Sequence, residues 1–292
     1  MSQVSFGIVL HGSESTASFR EIVARADALG CDVLAAPDHL GTPDPFAVLT
    51  AAAQVSDRLR LRTYVLNVGF WNPALLARAA ATVDVLSAGR LELGIGAGHM
   101  RSEHELAELP WSGHRARVQQ LERTLLAVRR HLADPDHRPR PIQSPIPIAI
   151  GAMTTPGLRV AADHADIVSF AGLLQLPARP PGTFTIASTA ETERRTTEVR
   201  ELANGRPYRS DALLQAVVIG EEPEIAAARL AAAFDTVTSE RLLDTPFVLL
   251  ARDRAHAAEL IAERRDRFGF DCYTTHQPYL DGLGEVIAAY RR

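Results

Sequence analysis

Between Arg58 and His99 the spacing of apolar side chains changes from every second residue to every third or fourth, and back again. Residues 61–66 read as a strand, Asn72-Pro73 as a turn, 74–86 as an alanine-rich helix and 91–96 as a second strand. That order is a βαβ unit. Pro73 suits the first turn of the helix because it lacks an amide hydrogen, and Gly89 suits its end because glycine accepts a left-handed backbone. The second strand runs into Gly94-Ile95-Gly96-Ala97-Gly98-His99. Glycines at the carboxyl end of a parallel strand are expected to leave room for a flat ligand against bare backbone.

The same reading along the rest of the chain predicts strands over 4–10, 32–36, 146–150, 166–170, 213–219 and 270–275, the first of them already under way from Met1. Helices are predicted over 18–29, 44–56, 113–132, 157–164, 223–234, 255–268 and 283–290. A long polar loop is expected from His99 to Gly113, and 134–145 reads as a proline- and arginine-rich surface connection. The segment 172–210, with a polar helix over 191–202, reads as an insertion over one end of the domain. A further short strand at 247–250 falls outside the main sheet. Eight strands alternating with helices argue for a single α/β domain over 1–292, a (β/α)8 TIM barrel. An open doubly wound sheet is the alternative, but the glycine run here follows the fourth strand and lacks the dinucleotide fingerprint.

Composition narrows the chemistry. The chain has 292 residues and a formal net charge of -4, which gives no reason to expect a nucleic-acid partner. No apolar run reaches membrane-spanning length, and the amino terminus does not read as a signal peptide, so a cytoplasmic protein is expected. Cys31 and Cys272 are the only cysteines, too few for a disulfide framework, and are expected to be packing residues. Every one of the 31 basic residues is arginine. Without lysine, neither a P-loop nor Schiff-base catalysis can operate.

Four motifs, in this order and spacing, resemble the bacterial luciferase-like superfamily and in particular its coenzyme F420-dependent branch. They are Pro37-Asp38-His39 after the second strand, Thr63-Tyr64-Val65-Leu66 followed by Phe70-Trp71-Asn72-Pro73, Ser87 to Arg90 leading into the glycine run, and the stretch from Glu263 to Gly269 before the last strand. The resemblance implies a barrel with insertion segments at its C-terminal rim and a deazaflavin held at the carboxyl ends of the strands. It places Asp38 and His39 beside the ring, with Gly96, Ala97 and Gly98 near it, and a non-proline cis peptide at Tyr64-Val65 behind it. It gives the cofactor phosphate to Gly151-Ala152-Met153-Thr154-Thr155, where small residues opening a helix offer free amides to an anion. It also marks a departure. Sugar-phosphate dehydrogenases of this branch carry an acid after the glycine run and lysine in the phosphate pocket, whereas this chain has His99 and no lysine. Glucose 6-phosphate is therefore not the expected substrate.

His39 and His99 are the catalytic candidates, because an imidazole titrates near neutrality and can carry the proton that accompanies hydride. His11 and His276 end the first and eighth strands on the same rim, and with Trp71 they are candidates for lining the substrate pocket. Arg101 has two readings, a contact to a polyanionic cofactor tail or plain solvent exposure. No metal is expected, since these histidines lack a zinc-like local spacing. The implied activity is F420-dependent hydride transfer to or from a small organic molecule. The alternatives are a reduced-FMN monooxygenase and a flavin-binding protein without turnover. Relatives are often dimers, and the apolar helix over 74–86 offers a homodimer surface.

Overall fold

In a computed structural model, described here for residues 4–12, 15–233 and 235–292, eight parallel strands close into a barrel with helices outside. The elements in chain order are β1 (Ser5–Val9), α1 (Thr16–Ala28), β2 (Val33–Ala36), α2 (Pro45–Ala53), β3 (Arg60–Thr63), β4 (Leu66–Asn67), α3 (Pro73–Leu86), β5 (Leu91–Gly96), α4 (Arg101–Leu106) and α5 (His114–Ala133). They continue with β6 (Ile148–Gly151), α6 (Thr155–His164), β7 (Ile167–Phe170), β8 (Leu173–Gln175), β9 (Phe184–Ile186), α7 (Thr189–Ala203), β10 (Arg209–Leu214) and β11 (Ala216–Ile219). The last are α8 (Pro223–Ala231), α9 (Ser239–Leu243), β12 (Val248–Ala251), α10 (Arg254–Phe268), β13 (Cys272–His276) and α11 (Leu280–Tyr290). The barrel order is β3-β2-β1-β13-β10-β7-β6-β5, closed by pairing of β3 with β5. The expected strand start at residues 1–3 and the expected helix end at Phe234 lie outside the described residues.

Local chemistry sets most helix starts. Asp44, Asn72 and Asp253 accept backbone amides of α2, α3 and α10, and Ser188 forms a reciprocal capping box with Glu191 at α7. The outward faces of the strands, such as Phe6 and Ile8 on β1, pack with Val23 and Ala26 of α1 and Val286 and Ile287 of α11 in one continuous apolar layer.

The inner face is different. Arg62 on β3 and Arg209 on β10 both reach Glu92 on β5, at 2.6 and 2.8 Å, and Arg60 reaches it at 2.7 Å. β10 is not a neighbour of β5, so Arg209 crosses the lumen to reach it. Burial alone would raise the Glu92 carboxyl, but the three guanidinium groups outweigh it and hold the group at about 2. One layer higher, Asp211 accepts Thr274 at 2.7 Å, Tyr64 at 2.5 Å and Ser169 at 3.2 Å, with Arg62 Nη1 at 3.4 Å. A charged and hydrogen-bonded lumen replaces the branched aliphatic filling common in such barrels.

Four expectations are corrected. The third strand is not continuous over 61–66: it breaks after Thr63, passes through a cis Tyr64-Val65 peptide and resumes as β4. The loop after His99 contains α4. The segment read as one strand over 213–219 divides, with β10 in the barrel and β11 paired in parallel with β12 in a separate small sheet, which is where the short strand near 247–250 belongs. The segment 172–210 also divides. Its first part is the β8–β9 hairpin, while α7 packs against α6 and α10 as one of the outer barrel helices. The polar sequence of α7 had hidden a narrow buried stripe of Thr192, Thr196, Val199 and Ala203.

Candidate active site

The carboxyl ends of the barrel strands bring four imidazoles to one rim. His276 closes β13, His11 lies just beyond β1, His39 follows β2 and His99 follows β5. His39 and His99 meet edge to face with ring centres 5.4 Å apart. His11 and His276 are joined directly, Nε2 to Nδ1, at 2.8 Å.

His39 has a partner that the linear pattern did not reveal. Its Nδ1 lies 2.7 Å from Oε1 of Glu103, a carboxylate that is only 13% exposed. Glu103 sits in the first turn of α4, inside the stretch expected to be loop, so nothing in the periodicity singled it out. The carboxylate accepts the Nδ1 proton and leaves Nε2 as the ring's free nitrogen, an arrangement by which a second group can orient an imidazole. His99 has no such partner among the described residues. Its ring meets those of His39 and of Phe184 on the β8–β9 hairpin edge to face, each with centres 5.4 Å apart. Surrounding protein, with His39 and Arg117 nearby, depresses its pKa to about 4, although the residue as a whole is exposed. At neutral pH it is an uncharged edge of the site.

Asp38 is committed elsewhere. Its Oδ2 accepts the Asn67 amide at 3.0 Å and the Trp71 indole N–H at 2.9 Å. Burial raises its pKa, with those two hydrogen bonds acting the other way. Trp71 packs its ring edge to face against Phe46. Asp38 and Trp71 thus tie the segment after β4 to the end of β2. Phe70 lies tilted against His104, whose Nε2 meets the Asn67 amide nitrogen at 3.1 Å. Arg101 pairs with Glu105 one turn on, in solvent. Cys31 and Cys272 are buried.

The glycine run has a role other than leaving bare backbone. A methyl group on Gly96 would lie 2.7 Å from Cγ2 of Val65, and one on Gly151 would lie 3.1 Å from the same atom. One on Gly94 would collide with the Thr63 carbonyl oxygen. The strand tips are bare because the bulge at Tyr64-Val65 occupies the space above them. Gly98, with φ +73°, passes so close to the Asn67 side-chain amide that any Cβ would overlap it. Ala97 packs on the core beside it. Tyr64 turns its hydroxyl down to Asp211, and its ring joins Val9, Ala35, Leu213 and Ala171 in a small apolar patch separate from the main core.

At the next tip, Gly151-Ala152-Met153-Thr154 leads into α6. Ala152 and Met153 pack on the core, and Thr154 provides no side-chain cap, so the first amides of α6 keep their donors free of it. The Thr154 hydroxyl instead lies 3.2 Å from His114 Nε2. The result is an apolar floor, a row of imidazoles along one side and a helix amino terminus beyond it.

Comparisons with known proteins agree on this architecture. An F420-dependent glucose-6-phosphate dehydrogenase of Amycolatopsis mediterranei (strain U-32) is 31% identical over 118 residues, covering 37% of this chain and 35% of that protein. The chain thus spans about a third of the length of the curated relatives it matches. Among solved structures, an F420-dependent secondary alcohol dehydrogenase in complex with an F420-acetone adduct superposes with a TM-score of 0.78 at 16% identity, covering 100% of both chains. The monooxygenase RslO1 from Streptomyces bottropensis superposes with a TM-score of 0.71 at 21% identity, covering 98% of this chain and 97% of that one. These two likenesses show a shared fold. The family model for luciferase-like monooxygenases matches residues 3–268, and the chain belongs to that family.

Proposed function

We propose that the protein is a coenzyme F420-dependent oxidoreductase that moves a hydride between the deazaflavin and a small organic substrate, with His39 as acid and base. The observation that carries this reading is the His39–Glu103 pair at 2.7 Å, set on the barrel rim beside an apolar floor. The F420-dependent relative and the structural likeness to an F420-dependent alcohol dehydrogenase support the choice of cofactor.

The residues present suit that group. Val9, Ala35, Leu213 and the Tyr64 ring would form an apolar bed under the ring system, and Asp38, His39, Val65, Gly96, Ala97 and Gly98 would surround it. Gly151, Ala152, Met153, Thr154 and Thr155 would take the phosphate through the first amides of α6. When bound, the deazaflavin supplies a carbon centre that accepts or gives two electrons as hydride. The chain handles the proton. In oxidation of an alcohol, Nε2 of His39 takes the hydroxyl proton as the carbon loses hydride; in reduction of a carbonyl, imine or conjugated double bond it returns that proton. Glu103 holds the ring so that Nε2 faces its task. His99, uncharged at neutral pH, is the weaker proton carrier and serves as a wall.

The family match favours a second reading, a reduced-FMN monooxygenase. Titration with F420 and with FMN, followed by intrinsic fluorescence, separates the two. Tighter binding of F420 with turnover by hydride transfer is expected. An oxygen adduct on mixing the FMN-reduced protein with oxygen would overturn the F420 reading, and F420 binding without turnover across a substrate panel would leave a non-catalytic binding protein.

A further inference from the structure

A second hydrogen-bonded line runs around the rim from the other side of His39. Gln215 stands between β10 and β11, where the chain leaves the barrel, and its backbone amide donates to the Phe247 carbonyl at 2.7 Å. Its side-chain Nε2 donates to the Ala171 carbonyl, just past β7, at 2.7 Å. That bond sets the amide, because an oxygen placed there would face another oxygen. Gln215 Oε1 then faces His276 Nε2 at 3.3 Å. An amide oxygen only accepts, so His276 carries its proton on Nε2 and presents a lone pair at Nδ1. His11 Nε2, 2.8 Å from that lone pair, must donate. One nitrogen is left over. In neutral His11, Nδ1 is a bare acceptor, and it has no hydrogen-bond partner among the described residues.

The neutral state follows from the surroundings. Burial and the nearby His39 lower the pKa of His11, and burial with His11 beside it takes His276 down to about 4. The line cannot pass a proton through to solvent by way of Gln215, because the amide oxygen has no proton to give up in exchange. It fixes a tautomer. β1 lies between β13 and β2 in the barrel, so the tips carrying His276, His11 and His39 are consecutive. With Nδ1 of His39 bonded to Glu103, that ring too offers its remaining nitrogen.

We propose that His11 Nδ1, held as an acceptor by His276 and Gln215, binds a second hydrogen-bond donor on a substrate without negative charge, a hydroxyl or ammonium group one or two bonds from the carbon whose hydroxyl proton His39 handles. This assignment of substrate class rests on the hydride-transfer reading. Two lone pairs on adjacent tips repel a carboxylate or phosphate and leave it without a donor, whereas a vicinal diol or amino alcohol satisfies both. Gln215 and His276 are positioning residues, and His11 is the contact.

The test uses the full chain with F420 and a set of three: propane-1,2-diol, its 1-methoxy ether, which keeps the oxygen and removes the donor, and lactate, which replaces the group with a carboxylate. Sites built around a substrate donor discriminate strongly against analogues lacking it. The expected kcat/KM ratio of diol to ether is about 10-fold or more, with lactate poorer than both. Gln215→Leu should bring the ratio near one. A ratio within about twofold in the wild type, or lactate as the better substrate, overturns the proposal. Nitrogen-15 NMR of the cofactor-free protein provides a readout that does not need turnover. His11 should show a protonated Nε2 and a bare Nδ1, and His276 likewise, with both patterns mixed in Gln215→Leu. The opposite His11 tautomer overturns the proposal even if no substrate of the set is turned over, whereas failure of F420 to bind with the tautomers intact counts against the cofactor reading instead.

Discussion

His39 and Glu103 are 64 residues apart in the chain and 2.7 Å apart in the fold, Nδ1 to Oε1. The pair depends on α4, whose first turn carries Glu103 back over the end of β2. A carboxylate in that place does for His39 what the buried acid of a catalytic triad does for its histidine: it selects the tautomer and the ring orientation. His39→Ala should keep F420 affinity within about tenfold and slow hydride transfer by ~10²-fold or more. Glu103→Gln should keep substrate KM and lower kcat by about 10-fold or more, since the amide can bond the wrong tautomer. The change in deazaflavin absorbance as hydride is transferred, followed by stopped flow and at steady state, measures both. Unchanged turnover in His39→Ala would remove that residue from the chemistry.

The glycines at the tip of β5 are predicted to be coupled to the bulge and not only to the ligand. Gly96→Ala places a methyl 2.7 Å from Val65 Cγ2, an overpacked contact costing about 1–3 kcal/mol. Trimming the neighbour should relieve it, so Gly96→Ala combined with Val65→Ala is expected to be more stable than the sum of the two single losses. A urea double-mutant cycle reads the difference. Strict additivity would mean that the two side chains do not share the space.

Glu92 gathers Arg60, Arg62 and Arg209 in the lumen and is itself fully buried. Glu92→Gln keeps the shape and strips the charge, leaving Arg62 buried with only Asp211 to face it. Breaking one side of a buried ion pair costs about 3–5 kcal/mol, and a loss of that order is expected in chemical denaturation. A loss below about 1 kcal/mol would mean that solvent reaches the lumen and screens the arginines.

The rim histidines predict a pH dependence with a definite sign. His99 and His276 titrate at about 4 in the fold, whereas free imidazoles titrate near 6.5. Between those values the unfolded chain binds more protons than the folded one, so stability falls as pH drops from about 6.5 to about 4. Above that window the contribution is fully present, and below it the loss is complete. Urea midpoints across the range, compared with the His99→Gln and His276→Gln double variant, isolate this contribution, and the wild type should lose more. Equal slopes would place both imidazoles in ordinary solvent.

The linear pattern was enough for the order of the eight barrel strands and most of the helices between them, because burial on one face leaves a period that any short window contains. It also located the helix start at Asp44, the turn at Asn72 and the left-handed glycine at 89, since these depend on neighbours within a few residues; both Asp44 and Asn72 prove to be caps. The resemblance carried by Thr63-Tyr64-Val65 placed the cis peptide where the fold has it. Tertiary structure alone decided the partners. Glu103 for His39, Gln215 for His276 and Asp211 for Tyr64 lie 64, 61 and 147 residues from the groups they hold. Periodicity says which face of a strand is inside, but not which side chain it meets across the lumen. For the same reason the break between β10 and β11, which brings Gln215 to the rim, was hidden inside what read as one apolar strand.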